Sequence, residues 1–304
     1  MSVSSDALPW RGPGRGRPDD LPLPPDRQPL RYGGVNRKRW RYLGAYSEEM
    51  MLCAARVQVG PVGQTFWAVW DRAEKKLYER TLLRRPLARG QVWSEDSAGR
   101  RVDHAPDAGA TVRIEASHPE AGKVSGTLNV GGGEWAECVC DNGEGGFVWT
   151  RKRADMPVDV DLRIGERRIR CQARGIEDES AGYHRRHTVW NWSAGVGTLS
   201  DGRSVGWNLV EGVNDPERNS ERAIWVDGTP SEPGPVRFAG LDVIDGQDGS
   251  RLEFQAESER AKSERRFGTR YEYRQPFGTF SGALPGGLEL AQGIGVMEHQ
   301  DAVW

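Results

Sequence analysis

Long hydrophobic runs are missing. No stretch of the 304 residues approaches the roughly 20 consecutive apolar positions of a membrane-spanning helix, and the mean hydropathy is -0.68. A soluble chain without an integral membrane span is expected, and any membrane contact is expected to be transient. The opening MSVSSDALPWRGPGRGRPDD has no apolar core behind its charges, so no secretory signal is read and a cytoplasmic location is expected. Cysteine is scarce. Cys53, Cys138, Cys140 and Cys171 include no C-x-x-C, which argues against a disulfide scaffold or a zinc ribbon and for reduced core thiols. An excess of either charge is also missing: 42 basic against 44 acidic residues leave a net charge of -2, removing the global electrostatic motive for binding nucleic acid. The chain lacks G-x-x-x-x-G-K-[ST], G-x-S-x-G and H-E-x-x-H. His184 and His187 lie three apart but have no carboxylate or cysteine at ligand spacing, so neither a metal nor an organic cofactor is expected.

What is abundant is tryptophan, at 12 residues, and glycine, at 39. Strands with aromatic inward faces and glycine-rich turns use residues in this way, whereas glycine penalises helices. Residues 1–29 carry seven of the 18 prolines and no periodicity, and read as an arm, extended or draped over the body. From residue 50, short runs such as MLCAARVQV, TFWAVWD and TVRIEAS are separated by turn signals, and Val112, Ile114 and Ala116 alternate with Arg113 and Glu115. This spacing predicts an all-β chain of two antiparallel barrel or sandwich modules in tandem, over 30–172 and 173–304. The boundary is placed where IRCQARGIEDESAGYH (169–184) loses alternation and gains charge. ESERAKSERRFG (257–268) reads as a short helix or an exposed long turn. The basic and aromatic segment 31–46 is read as arginine stems packed over rings at a barrel end, with partner binding as the alternative.

Two later strands concentrate the candidate chemistry. If a strand begins near His187, Thr188, Trp190 and Trp192 share one face, and His187 and Asn191 the other. Asn208 sits mid-strand in SVGWNLVEGVND, where asparagine is disfavoured, with Glu211 close behind. Trp225 and Asp227 project together from AIWVDG, although Asp227-Gly228 equally reads as a hairpin turn. Glu298 shares a face with Ile294 and Val296, a setting that raises a carboxyl pKa and keeps an acid protonated near neutral pH. Asp227, Glu298, His187, His184 and Glu211 are thus the candidate catalytic groups. Trp67, Trp70, Trp190, Trp192, Asn208, Trp225 and Tyr271 are the candidate ligand-binding groups.

GVNRKRWRY, QTFWAVWD, RHTVWNWSAGVG, VGWNLVEGVND, YRQPFGTFSG and GIGVMEHQDAVW resemble the bacterial family of unknown function DUF2804, from about residue 30 to the C-terminus. That family is distantly similar to tandem lipocalin-like proteins, among them carotenoid 1,2-hydratases, tocopherol cyclases, lipocalin-like Diels-Alderases and a ceramide-carrying survival factor. The resemblance implies two β modules side by side with a hydrophobic small molecule bound in or between them. In the hydratases a His and a Trp, then an aromatic-x-Asp, are the residues thought to act, and His187 with Trp190, then Trp225-Val226-Asp227, follow that order. The function expected is a cofactor-independent acid catalyst that hydrates, cyclises or isomerises an alkene-bearing isoprenoid or polyketide. Asp227 or Glu298 would protonate, and His187 or Asn208 would position water. The alternative is a non-catalytic lipid carrier. A carbohydrate-binding surface fits the tryptophan excess but has no support from the resemblance.

Overall fold

The computed structural model describes residues 8–12, 16–84, 90–266 and 268–304. Among these there is no helix; strands make up two large antiparallel sheets and a small hairpin. The first sheet opens with a meander of strands Lys38–Tyr46, Met50–Val59, Val62–Asp71 and Lys76–Arg84. A return meander then ends on Gly122–Val130, Phe147–Ile164 and Arg167–Gly182, and that last strand pairs with the first, Lys38–Tyr46. The second sheet repeats this plan. His187–Leu199, Ser204–Glu211, Ala223–Val226 and Thr229–Ser231 run outward, and the return ends on Arg251–Arg266, Thr269–Leu284 and Leu288–Val303, which pairs with His187–Leu199. Two modules with one topology therefore stand in tandem, a duplication that no sequence repeat betrays.

The central strands of the first module are buried on both faces, which is why MMLCAA and TFWAVW are continuous apolar runs. Met50, Leu52, Ala54, Trp67 and Val69 fill that module's own core, whereas Met51, Cys53, Ala55, Phe66, Ala68 and Trp70 face the other module. There they meet Trp192, Ala194, Val196, Val210, Trp225 and Val296 in a core shared between modules. Val205, Trp207, Leu209 and Ile224 turn the opposite way, into the second module's core. Close approach of the modules depends on Gly206, where a Cβ would lie 2.7 Å from that of Ala154 and 3.0 Å from the backbone nitrogen of Asp155. Gly206→Ala is expected to destabilise the protein by about 1–3 kcal/mol through overpacking, read from urea unfolding.

Two sequence expectations change. Residues 257–266 form neither a helix nor a long turn: they belong to the strand Arg251–Arg266, and the turn is confined to the hairpin that follows, with Gly268 a turn residue and Phe267 outside the described residues. Its charges are matched by partners on both sides, with Glu257 paired to Arg72 (2.6 Å) and the buried Arg260 lying over the rings of Phe66 (4.1 Å) and Tyr273 (5.0 Å). The segment 169–184 does not hold the module boundary at 172/173 either. Arg167–Gly182 is one strand of the first sheet, and its acidic run is buried against bases: Glu177 on Arg153 (2.5 Å) and Glu179 on Arg151 (2.9 Å). The chain passes between sheets at residues 183–186, not at 172/173. The described part of the arm is draped on the body, with Trp10, Leu21 and Leu23 buried against Phe147, Trp149 and Tyr183.

Candidate functional site

Where the two modules face each other, a cavity of about 500 Å3 remains unfilled. That volume lies in the range for enclosing a drug-sized ligand. Trp40, Tyr42, Val57 and Phe66 line it from the first module, and Trp190, Trp192, Tyr271 and Tyr273 from the second. Strand alternation sets this. Trp40 and Tyr42, like Trp190 and Trp192, are two apart on one strand, so each pair presents its rings to the same side. Trp40 and Trp190 stack across the module boundary at 6.2 Å, and Tyr42 meets Trp192 edge-on at 5.4 Å.

One part of this aromatic chamber is polar. Glu298 accepts from the indole Nε1 of Trp190 (2.9 Å) and from Nε2 of Gln275 (2.9 Å). Burial pushes its carboxyl up to about 7, against the hydrogen bonds from Trp190 and Tyr273 and with help from the charge of Asp178. Lys152 also lines the cavity, between Asp178 (2.5 Å) and Glu221 (3.5 Å). Burial works against the Lys152 ammonium, but these two carboxylates outweigh it and hold its pKa above the ordinary value. Burial raises the Glu221 pKa despite Lys152, and Asn214 Nδ2 donates to Glu221 at 2.9 Å. Asp178 takes a further hydrogen bond from Trp40 Nε1 at 3.3 Å. The chamber thus combines aromatic faces, a carboxyl close to half-protonated at neutral pH and a buried carboxylate held by an ammonium.

Of the residues singled out from sequence, Glu298, Trp190, Trp192 and Tyr271 meet in this cavity. The others lie elsewhere. Asp227 is exposed in a hairpin turn with positive φ (48°), followed by Gly228 (79°), and its Oδ1 accepts from Ser204 N. It is the turn residue of an Asp-Gly hairpin, not a partner of Trp225, which is buried in the shared core with Nε1 donating to Glu134 O. His187 is exposed and paired with Asp301 at 2.9 Å. His184 is buried, tilted against Trp40 with ring centroids 4.9 Å apart, and burial, aided by Lys38 and Lys152, pushes its pKa down to about 3, so the ring is neutral; it does not line the cavity. Glu211 accepts from Phe238 N (2.9 Å), away from the cavity. Asn208 does not line the cavity and is engaged at both ends of its amide: its Oδ1 accepts from Trp192 Nε1 (2.7 Å) and its Nδ2 donates to Glu221 O (2.9 Å). Trp67 belongs to the first module's core, and Trp70 to the shared core with its indole on Glu257 (2.9 Å).

Lys152, Asp178, Glu221, Trp40 and Tyr273 are the site residues that sequence reasoning passed over. Their signal was weak. Lys152 and Asp178 are direct cross-strand partners contributed by two different strands, and each alone looks like an ordinary surface charge. Among the described residues, no group of three or more His, Cys, Asp or Glu is arranged to hold a metal ion.

Residues 25–304 match the model of DUF2804, a domain of unknown function. The chain belongs to the DUF2804 family. No curated protein matches this DUF2804 chain in sequence. Among solved structures, it is similar to kievitone hydratase from Nectria haematococca, with TM-score 0.52 and 11% identity over 90% of each chain. It is also similar to CghA with Sch210972, with TM-score 0.47 and 10% identity over 88% of each chain. An AttH-like protein of Nitrosomonas europaea aligns with TM-score 0.49 and 13% identity, over 91% of this chain and 97% of that one. At such identities the likeness to the hydratase is one of fold, and it places the DUF2804 chain among tandem lipocalin-like architectures.

Proposed function

We propose that this DUF2804 protein is a cofactor-independent enzyme that protonates an alkene in a hydrophobic substrate of isoprenoid or polyketide class, leading to hydration, cyclisation or isomerisation. The observation that carries this reading is Glu298, a buried carboxyl with a pKa of about 7 in a cavity walled by tryptophan and tyrosine. The proton of Glu298 passes to an alkene carbon and leaves a carbocation. The faces of Trp40, Trp190 and Trp192 stabilise that cation by about 2 kcal/mol for each well-placed ring in a dry site. Water, or a second double bond of the substrate, then attacks the cation. The proton released returns to the Glu298 carboxylate, which closes the cycle without a co-reactant. The likeness of fold to kievitone hydratase is consistent with this class of reaction.

The first test is extraction of the freshly purified protein followed by mass spectrometry, to identify a retained hydrophobic ligand. Incubation of the wild type with that ligand and with acyclic isoprenoid alkenes then reads turnover. Protein that retains the ligand but returns every alkene unchanged is a carrier, and the acid-catalyst reading falls. Asp227→Asn and His187→Ala, neither of which lines the cavity, should leave turnover within about two-fold of wild type and stability within about 0.5 kcal/mol. Loss of activity in either would move the site away from Glu298.

A further inference from the structure

The first module has a second cavity of its own, of about 320 Å3, with Arg39, Arg41, Arg56, Asp103, His104 and Glu179 in its lining. Arg39 and Arg41 share the inward face of their strand with Leu43 of that module's core, while Trp40 between them turns to the inter-module cavity. Arg41 and Arg56 are direct cross-strand partners. Like charges so placed destabilise a sheet unless an anion compensates them.

The protein supplies only part of that compensation. Arg39, Arg41, Arg56, Arg151 and Arg153 are met in this network by Asp103, Glu177 and Glu179. Asp107 adds only a long contact to Arg151 (3.5 Å) from a side chain that is 83% exposed. Cationic charge is therefore in excess. Arg41 is 8% exposed; its Nη2 donates to Glu177 (2.8 Å), but its buried Nη1 has no acceptor among the described residues. At the mouth, Asp103, whose side chain is 51% exposed, sets its carboxylate between Arg39 (3.0 Å) and Arg56 (3.2 Å). One oxyanion is thus already held there from an exposed loop position, as a free ligand would be.

We propose that this lumen is a binding site for a small oxyanion, a carboxylate or a phosphate. Arg39 and Arg56 grip it at the mouth in exchange for Asp103, and Arg41 supplies the inner donor. Planar guanidinium groups suit such bidentate, charge-assisted contacts. Arg39, Arg41 and Arg56 alternate with the residues that face the Glu298 cavity; Trp40, Val57 and Gln64 border both cavities, and the anion site does not depend on the reaction proposed at Glu298.

The test is thermal unfolding of the full chain titrated with sodium phosphate, sodium acetate or sodium chloride at matched ionic strength. Saturable stabilisation by phosphate or acetate beyond chloride is expected, and which anion gives it identifies the chemical source. The Arg39→Gln/Arg56→Gln double variant should weaken the apparent affinity at least about ten-fold. Asp103→Asn removes the internal competitor and should tighten it by about three-fold or more. It alters one exposed side chain, so it decides the matter even if the double variant fails to fold. A response equal to chloride, a response unchanged in the double variant, or no tightening in Asp103→Asn would overturn the proposal.

Discussion

Glu298→Gln is expected to lower turnover by about 10^2 to 10^4-fold, the usual contribution of a general acid, while ligand binding stays nearly unchanged. An amide keeps the shape of the carboxyl: its oxygen can still accept from Trp190, and its NH2 can donate to Oε1 of Gln275 once that amide turns over, but it cannot donate a proton of comparable acidity. The pH profile separates this role from a structural one. The acid works when protonated, so wild-type turnover should be full below the pKa of about 7 and fall tenfold per pH unit above it. Stability follows the same group with a definite sign. A carboxyl whose folded pKa is raised binds more protons folded than unfolded, so stability is greatest at or below the ordinary value of 4.5, declines as pH rises to about 7 and levels off beyond. Glu298→Gln removes this contribution to the pH dependence. Steady-state turnover and urea unfolding across pH 4 to 9 read both effects. Full activity in the variant sends the search for the acid to Glu221, whose pKa burial also raises.

Glu298 was legible in the sequence because Ile294, Val296 and Glu298 alternate on one strand, and an acid in step with buried positions is an anomaly that period-two reading detects. The pairing of Trp190 with Trp192 was legible for the same reason. Alternation carried no such information for Trp67 and Trp70: on TFWAVW both faces are covered, so the pattern alone does not tell the first module's core from the shared one. Asp227 drew notice through an aromatic-x-Asp order, but local turn chemistry decided its place, as Asp-Gly at positive φ suits a tight hairpin. The acidic run at 177–179 suggested a boundary because charge normally marks solvent. Here Glu177, Asp178 and Glu179 each find a base on the neighbouring strand, so the strand continues. Register across strands, not order along the chain, creates those pairs. The register also made the Lys152 part of the candidate site invisible beforehand.

Lys152→Met is expected to be the most destabilising single change in the cavity, at about 3–5 kcal/mol near neutral pH, the cost of breaking a buried ion pair by removing one partner. The lysine is 2% exposed, and its Nζ lies 2.5 Å from Asp178 and 3.5 Å from Glu221. Methionine fills much the same volume, so the loss is electrostatic: two carboxyls would remain buried without their cation. Both would then favour the protonated form, and folding would require proton uptake that becomes harder as pH rises. The deficit relative to wild type should therefore be smaller at pH 5 than at pH 7.5. Adding Glu221→Gln to the variant removes one of the two unpaired carboxyls and should recover part of the loss at pH 7.5. Urea unfolding of the wild type, Lys152→Met and the double variant at both pH values measures this. Equal deficits at the two values, with no recovery on the second substitution, would show that Lys152 contributes by packing alone and that the carboxyls find their compensation elsewhere.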